Sequence, residues 1–303
     1  MEWEVRLIEW LQQTLGGAGT AFGKVFSFLG GETGLLLLML IVLFCWKKEV
    51  GLRLGAVICA VLTWLPMIKS AVLRPRPYMA HPDRIEAREL VAADAAADDV
   101  AAQGYSFPSM HSASVTSLFF YLGRELRKRW MWITAALFSF LVGISRLIVG
   151  MHYPTDVLAG WALGFAGIGI IALLEKKIKK EWIRHGIILL SVLPGLFFVR
   201  THDYFTALGL LIGLFIVIPF ERRYVRFQDT RNVWAMILRM AGAFGLYFGL
   251  NTLLKLPFSE AFLDGTTMGA LLVRTLRYAI DLFVIAGIYP MVFPLFEKVG
   301  RKK

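Results

Sequence analysis

Apolar residues run along this chain in long blocks separated by short polar stretches, and nine blocks approach the ~17–25 residues that a helix needs to cross a bilayer. They cover residues 31–46, 50–68, 109–123, 131–149, 155–174, 186–199, 205–220, 233–254 and 270–296. The residues ahead of them are patterned differently. Trp3, Leu7, Trp10 and Leu11 recur at helical spacing with Glu and Arg between them, which predicts a helix lying in the membrane interface. The expected fold is an all-α polytopic membrane helix bundle of about nine transmembrane helices with an N-terminal interfacial helix. Its organisation reads as an N-terminal interfacial segment (1–30), a helix bundle (31–175) and a four-span C-terminal extension (176–303). Gly164, Gly167, Gly245 and Gly249 are expected at close helix contacts.

Composition agrees with this pattern. Of 303 residues, 57% are hydrophobic and 18% charged, and the mean hydropathy is +0.62, well above the globular norm. The two cysteines, Cys45 and Cys59, lie inside apolar runs, which excludes a secreted disulfide scaffold. The opening Met-Glu-Trp-Glu lacks the basic start of a cleavable signal peptide, so the N-terminus is expected in the mature chain.

A net charge of +11 in a soluble protein would suggest nucleic acid, but here the basic residues sit between apolar blocks, and the expected partner is the bilayer. Alternate threading of the nine spans places segments 47–53, 124–129, 175–184, 221–231 and 297–303 on one side, and these hold 20 of the 33 Lys and Arg. The acidic N-terminus and an Ala-rich loop with Asp83, Glu86, Glu89, Asp94, Asp98 and Asp99 fall on the other side. The positive-inside rule then puts the N-terminus outside and the C-terminus in the cytoplasm.

Ionisable groups beside membrane helices are functional candidates, and three clusters fall at the outer ends of their spans. Lys69 and Arg76-Pro77 close the second span. Pro108-Ser109-Met110-His111 opens the third. Ser145-Arg146, His152 and Asp156 cross the turn between the fourth and fifth. Lys69, Arg76 and Arg146 supply fixed positive charge, and Arg has a fork that matches phosphate oxygens. Ser109 and the amides after it stand where a helix begins, a natural anion site. A carboxylate at position 156 can hold one nitrogen of His152 and leave the other free to attack. Singly, each of these has a plain structural reading: a snorkelling cation or a satisfied polar residue. His81, His185 and His202 stay in that class.

In this order, Lys-x6-Arg-Pro, Pro-Ser-x-His and Ser-Arg-x5-His-x3-Asp resemble the type 2 phosphatidate phosphatase superfamily, relatives of glucose-6-phosphatase and the vanadium haloperoxidases. Met110 stands where Gly is the commoner residue, a position that contributes mainly a backbone N–H. The resemblance implies a phosphatase forming a phosphohistidine on His152. His111 would protonate the leaving oxygen and then activate water, with Asp156 orienting His152. Lys69, Arg76, Ser109, Met110 and Arg146 would bind phosphate, with no metal and no cofactor. The expected substrate is a membrane lipid (a polyprenyl diphosphate, phosphatidate or phosphatidylglycerol phosphate) hydrolysed at the extracytoplasmic face of the cell membrane.

The alternatives are a soluble sugar phosphate as substrate, or a lipid transporter or flippase whose basic pocket only binds phosphate. The apolar spans argue against a soluble haloperoxidase. In the last two spans, Arg239, Arg274, Arg277 and Asp281 are expected to face the bundle interior, with Arg277 and Asp281 one turn apart and able to pair.

Overall fold

The computed structural model describes residues 2–299; Met1 and residues 300–303, with the basic tail residues Arg301, Lys302 and Lys303, lie outside the described residues. In chain order the helices are α1 (Glu2–Gly30), α2 (Glu32–Leu40), α3 (Lys48–Val72), α4 (Pro77–Ala80), α5 (Val100–Gln103), α6 (Met110–Leu126), α7 (Arg129–Ile148) and α8 (Pro154–Lys177). They continue with α9 (Glu181–Val192), α10 (Gly195–Phe198), α11 (His202–Phe220), α12 (Val233–Leu253), α13 (Glu260–Leu263), α14 (Met268–Leu282) and α15 (Phe293–Phe296). No strand occurs among the described residues.

The nine apolar runs are largely helical: Ile41–Trp46 continues α2 and Phe283–Ile288 continues α14 as π-helix, Tyr289–Val292 is a 3-10 turn before α15, and residues 193–194 form a turn between α9 and α10. Among the described residues seven stretches are long and apolar enough to cross a membrane, and an eighth if the bent pair Glu2–Phe28 and Glu32–Trp46, angled at 44°, is one span. α6 is the polar member, with 17 residues and buried Ser112, Ser114, Thr116 and Ser117. The chain is an all-α, multi-pass membrane protein.

Two compact units divide it: Met1–Leu35 with Leu65–Ile170, and Leu36–Trp64 with Ile171–Lys303. In the first, α1 runs well past the fifteen residues whose spacing marks it, turning at Gly16 (φ 47°). Its inner face is Val5, Ile8 and Leu11, packed with Tyr78, Ile85, Ile148, Val149, Met151 and Tyr153. Trp3 and Trp10 stay exposed. α8 lies close against the start of α6. A Cβ at Gly160 would come within 2.6 Å of the Ser109 carbonyl, and one at Gly164 within 2.9 Å of the Ala113 carbonyl. These glycines let the two helices approach.

The second unit has its own aromatic core around Phe44, Phe227 and Phe293. Arg239 is buried beside it, donating to the Phe44 carbonyl at 2.9 Å and to Glu297 at 3.0 Å, with its guanidinium 4.3 Å from the Phe293 ring. One expectation fails in this unit, and a second is met only in part. Gly245 and Gly249 have open space around them, because α12 buries its Ala235, Arg239 and Ala243 face instead. Arg277 and Asp281 are both buried and their charges act on each other, but they share no hydrogen bond. Arg277 reaches across to Asn251 of α12 at 2.7 Å, and both Asp281 oxygens lack a hydrogen-bond partner. Arg274 is only half-buried.

Candidate active site

The site is built at one end of the first unit, where α3 and α7 finish and α6 and α8 begin. Lys69 sits in the last turn of α3 and donates to the Tyr105 carbonyl at 2.6 Å. Four residues on, Leu73 adopts a positive φ of 55°, which ends the helix and sends the chain into Pro75-Arg76-Pro77. Pro77 starts α4 with Arg76 as its N-cap, the place where a missing N–H costs nothing. Arg76 is 4% exposed and its donors reach the carbonyls of Gln103, Gly104 and Met151 at 2.7–3.2 Å.

Ser109 is the N-cap of α6, its hydroxyl accepting from the Ser112 amide at 3.4 Å and from the Ser112 hydroxyl at 3.0 Å. Its own N–H donates to the Asp156 carbonyl at 3.0 Å, tying the second motif to the third. Met110 and His111 open the helix, so their amides are among the unpaired N–H groups of a helix start. The ring of His111 lies beside the turn joining α1 to α2. A Cβ at Gly30 would stand 2.9 Å from the His111 Cβ, so this position accepts only glycine without a shift.

Arg146 sits in the last turn of α7, 1% exposed. The chain then turns back, with the amides of Met151 and His152 donating to the Arg146 carbonyl at 3.1 and 3.3 Å. His152 is buried, and its Nδ1 stands 3.7 Å from Asp156 Oδ2 with no hydrogen-bond partner. That separation is longer than a hydrogen bond. The short contacts of Asp156 go elsewhere: Oδ2 accepts from the Tyr153 amide at 2.8 Å and Oδ1 from Arg74 at 2.7 Å. With the Asp156 amide donating back to Tyr153, this makes a reciprocal cap on α8.

Arg76 reaches the Met151 carbonyl beside His152, the Arg146 carbonyl takes the His152 amide and the Asp156 carbonyl takes the Ser109 amide, and Lys69, Arg76 and Arg146 are close enough to act electrostatically on both His152 and His111. The structure therefore brings Lys69, Arg76, Ser109, Met110, His111, Arg146, His152 and Asp156 into one cluster. Burial holds the pKa of His152 well below the usual imidazole range, and the positive charge of Arg76, Lys69 and Arg146 lowers it further. A neutral imidazole facing several fixed cations can attack an electrophile whose anionic oxygens those cations hold.

Three further residues join the site without any sequence signal to mark them. Arg74 bridges Asp156 and Glu4 at 2.7 and 2.9 Å and lies 3.9 Å from the centre of the Tyr153 ring. Glu4, from α1, also accepts from the Thr155 hydroxyl and amide at 2.6 and 3.1 Å. Glu89, from the acidic loop, accepts from Arg146 at 3.1 Å and from Ser27 at 2.6 Å. Among the described residues no group of three or more His, Cys, Asp or Glu is placed to hold a metal ion. A cavity of about 340 Å³ in the second unit, lined by Arg53, Arg184, His185 and Arg222 among others, contains none of the motif residues.

Residues 50–180 match the family described as the PAP2 superfamily, and residues 205–301 match the PAP2 superfamily phosphatase transmembrane extension. The chain belongs to the PAP2 superfamily. It is 41% identical over 64 residues to a lipid A 4'-phosphatase of Bacteroides thetaiotaomicron, covering 21% of this chain and 28% of that one. It is 34% identical over 85 residues to phosphatidylglycerophosphatase B of Bacillus subtilis (25% and 42%). It is 45% identical over 60 residues to an undecaprenyl-diphosphatase of Sulfolobus acidocaldarius (20% and 29%). The match thus spans 28–42% of the length of these relatives. No solved structure matches the chain.

Proposed function

We propose that this protein is a metal-independent membrane phosphatase that removes phosphate from a lipid phosphate monoester or diphosphate at the extracytoplasmic face. His152 Nε2 attacks phosphorus. The bond to the leaving oxygen breaks as His111 donates it a proton, leaving a phosphohistidine. His111 then takes a proton from water, the water oxygen attacks phosphorus, and the N–P bond breaks to release phosphate. Lys69, Arg76, Arg146 and the amides after Ser109 balance the charge that spreads over the equatorial oxygens, and Asp156 faces the other nitrogen of His152.

The observation that carries this reading is the convergence of three cations, two histidines and a helix start on one buried cluster, with His152 Nδ1 turned to Asp156. The three relatives named above are all named for lipid phosphates, which favours a lipid over a sugar phosphate. The facing rests on charge: the loop 77–107 carries six acids and two bases, the outer pattern under the positive-inside rule. The test is phosphate release by the purified protein in detergent over a panel of lipid and sugar phosphates. Turnover on lipids is expected, and binding of lipid phosphate with no release would favour a transporter instead.

A further inference from the structure

Glu4 lies outside all three motifs and ahead of the stretch 50–180 that matches the PAP2 superfamily, yet it is fully buried at the site. Its two oxygens are both used. Oε2 takes Arg74 at 2.9 Å, and Oε1 takes the Thr155 hydroxyl at 2.6 Å. The other arm of Arg74 holds Asp156 at 2.7 Å and Thr155 at 2.6 Å. The charges thus alternate from α1 inward: Glu4, Arg74, Asp156, and then the His152 ring.

Arg74 alone would cancel Asp156 and leave the pair without net charge beside His152. With Glu4 in place the trio carries one negative charge, which supports the positive charge that the imidazole acquires as it attacks phosphorus. From this alternation we infer that Glu4, delivered by α1, is a positioning residue for the His152–Asp156 pair: it anchors Arg74 and keeps the pair's partner charge negative. The inference rests on the reading of His152 as nucleophile. The titratable and charged groups around that pair are Lys69, Arg74, Arg76, His111, Arg146, Tyr153, Glu4 and, through Arg146, Glu89.

The signs follow from the charges. Glu4→Gln removes a negative charge, so imidazolium becomes harder to form and the acid limb of kcat/KM moves to lower pH. Arg74→Met removes a positive charge and moves that limb to higher pH. Glu4→Gln should also lower kcat by about 10- to 100-fold, the scale on which orienting partners act, with KM little changed, and Glu4→Asp should recover part of it. A purely structural role moves neither limb in opposite directions.

The experiment is pH-dependent turnover of a lipid phosphate by the full chain in detergent, with wild type, Glu4→Gln, Glu4→Asp and Arg74→Met, each checked by thermal melting. NMR titration of the His152 ring in histidine-labelled protein reads the same two shifts without substrate, so it stands even if wild type releases no phosphate. If Glu4→Gln does not fold, Glu4→Asp and Arg74→Met carry the comparison: a lowered kcat in the first and an upward shift in the second are expected. Opposite shifts support the inference. Wild-type kcat and an unmoved limb in the Glu4 variants, or shifts of the same sign at both positions, overturn it while leaving the phosphatase reading intact.

Discussion

Glu89 places a carboxylate oxygen 3.1 Å from Nη2 of Arg146, so an acid of the loop between α4 and α5 occupies a cation to which the proposed mechanism gives the phosphate. An arriving phosphate must share or displace it. Glu89→Gln removes the competing charge, and inorganic phosphate should inhibit about 3- to 10-fold more strongly, the scale of a single partly exposed charge contact. The inhibition constant for phosphate in wild type and variant decides this; an unchanged or weaker constant would mean that Glu89 does not compete.

The cations around the site are side chains, with Lys69, Arg76 and Arg146 all acting on His152. Turnover is expected to survive EDTA, and vanadate should inhibit by taking a trigonal-bipyramidal form at the phosphoryl position. Activity lost in EDTA and restored by Mg²⁺ would contradict the cation-cage account.

Burial, with the charges of Arg76, Lys69 and Arg146, depresses the His152 pKa below the usual imidazole value. In the proposed mechanism the neutral form attacks, so activity should persist below pH 6.5 and fall only as pH drops through the lowered pKa. Lys69→Gln removes one of the depressing charges and should move this acid limb upward by about half a pH unit. A pH profile of residual kcat/KM checks the direction; a downward move would show that Lys69 does not act on His152 electrostatically.

Gly160 keeps α8 against the start of α6, where a Cβ would stand 2.6 Å from the Ser109 carbonyl. Gly160→Val should cost about 1–3 kcal/mol as an overpacked contact and disturb the Ser109 cap. Thermal melting and turnover should fall together. A variant as stable and active as wild type would show that the helices separate without cost.

Facing can be tested independently of chemistry. Ala96 is exposed in the acidic loop. A single cysteine there, with Cys45 and Cys59 replaced, should react with a membrane-impermeant maleimide in intact cells. Labelling only after the cells are broken would put the site in the cytoplasm.

The spans and the three motifs were legible because each is local: an apolar run, or a few residues across one helix end. The connections of Glu4 were not, because Arg74 and Thr155 lie 70 and 151 residues away in sequence, and only the packing of Val5, Ile8 and Leu11 brings them together. For the same reason the spacing of Arg277 and Asp281 predicts their mutual attraction but not where the hydrogen bond of Arg277 goes. One helical turn makes two side chains neighbours, but α12 offers Asn251 as another acceptor. Gly245 and Gly249 have the spacing of a contact face, yet which face of α12 is buried is set by Arg239. The spacing of Asp156 from His152 and the family resemblance mark the two as partners. Its short contacts to Arg74 and the Tyr153 amide depend on the fold of the loop before α8.

The central claim is that phosphate passes through His152. Rapid acid-free quench of the purified protein with ³²P-labelled lipid phosphate, followed by peptide mapping, measures it directly. The account predicts an alkali-stable, acid-labile label on the peptide that contains His152, with both label and phosphate release lost in His152→Ala. Turnover of His152→Ala near the wild-type rate, or label on a different residue, would contradict it.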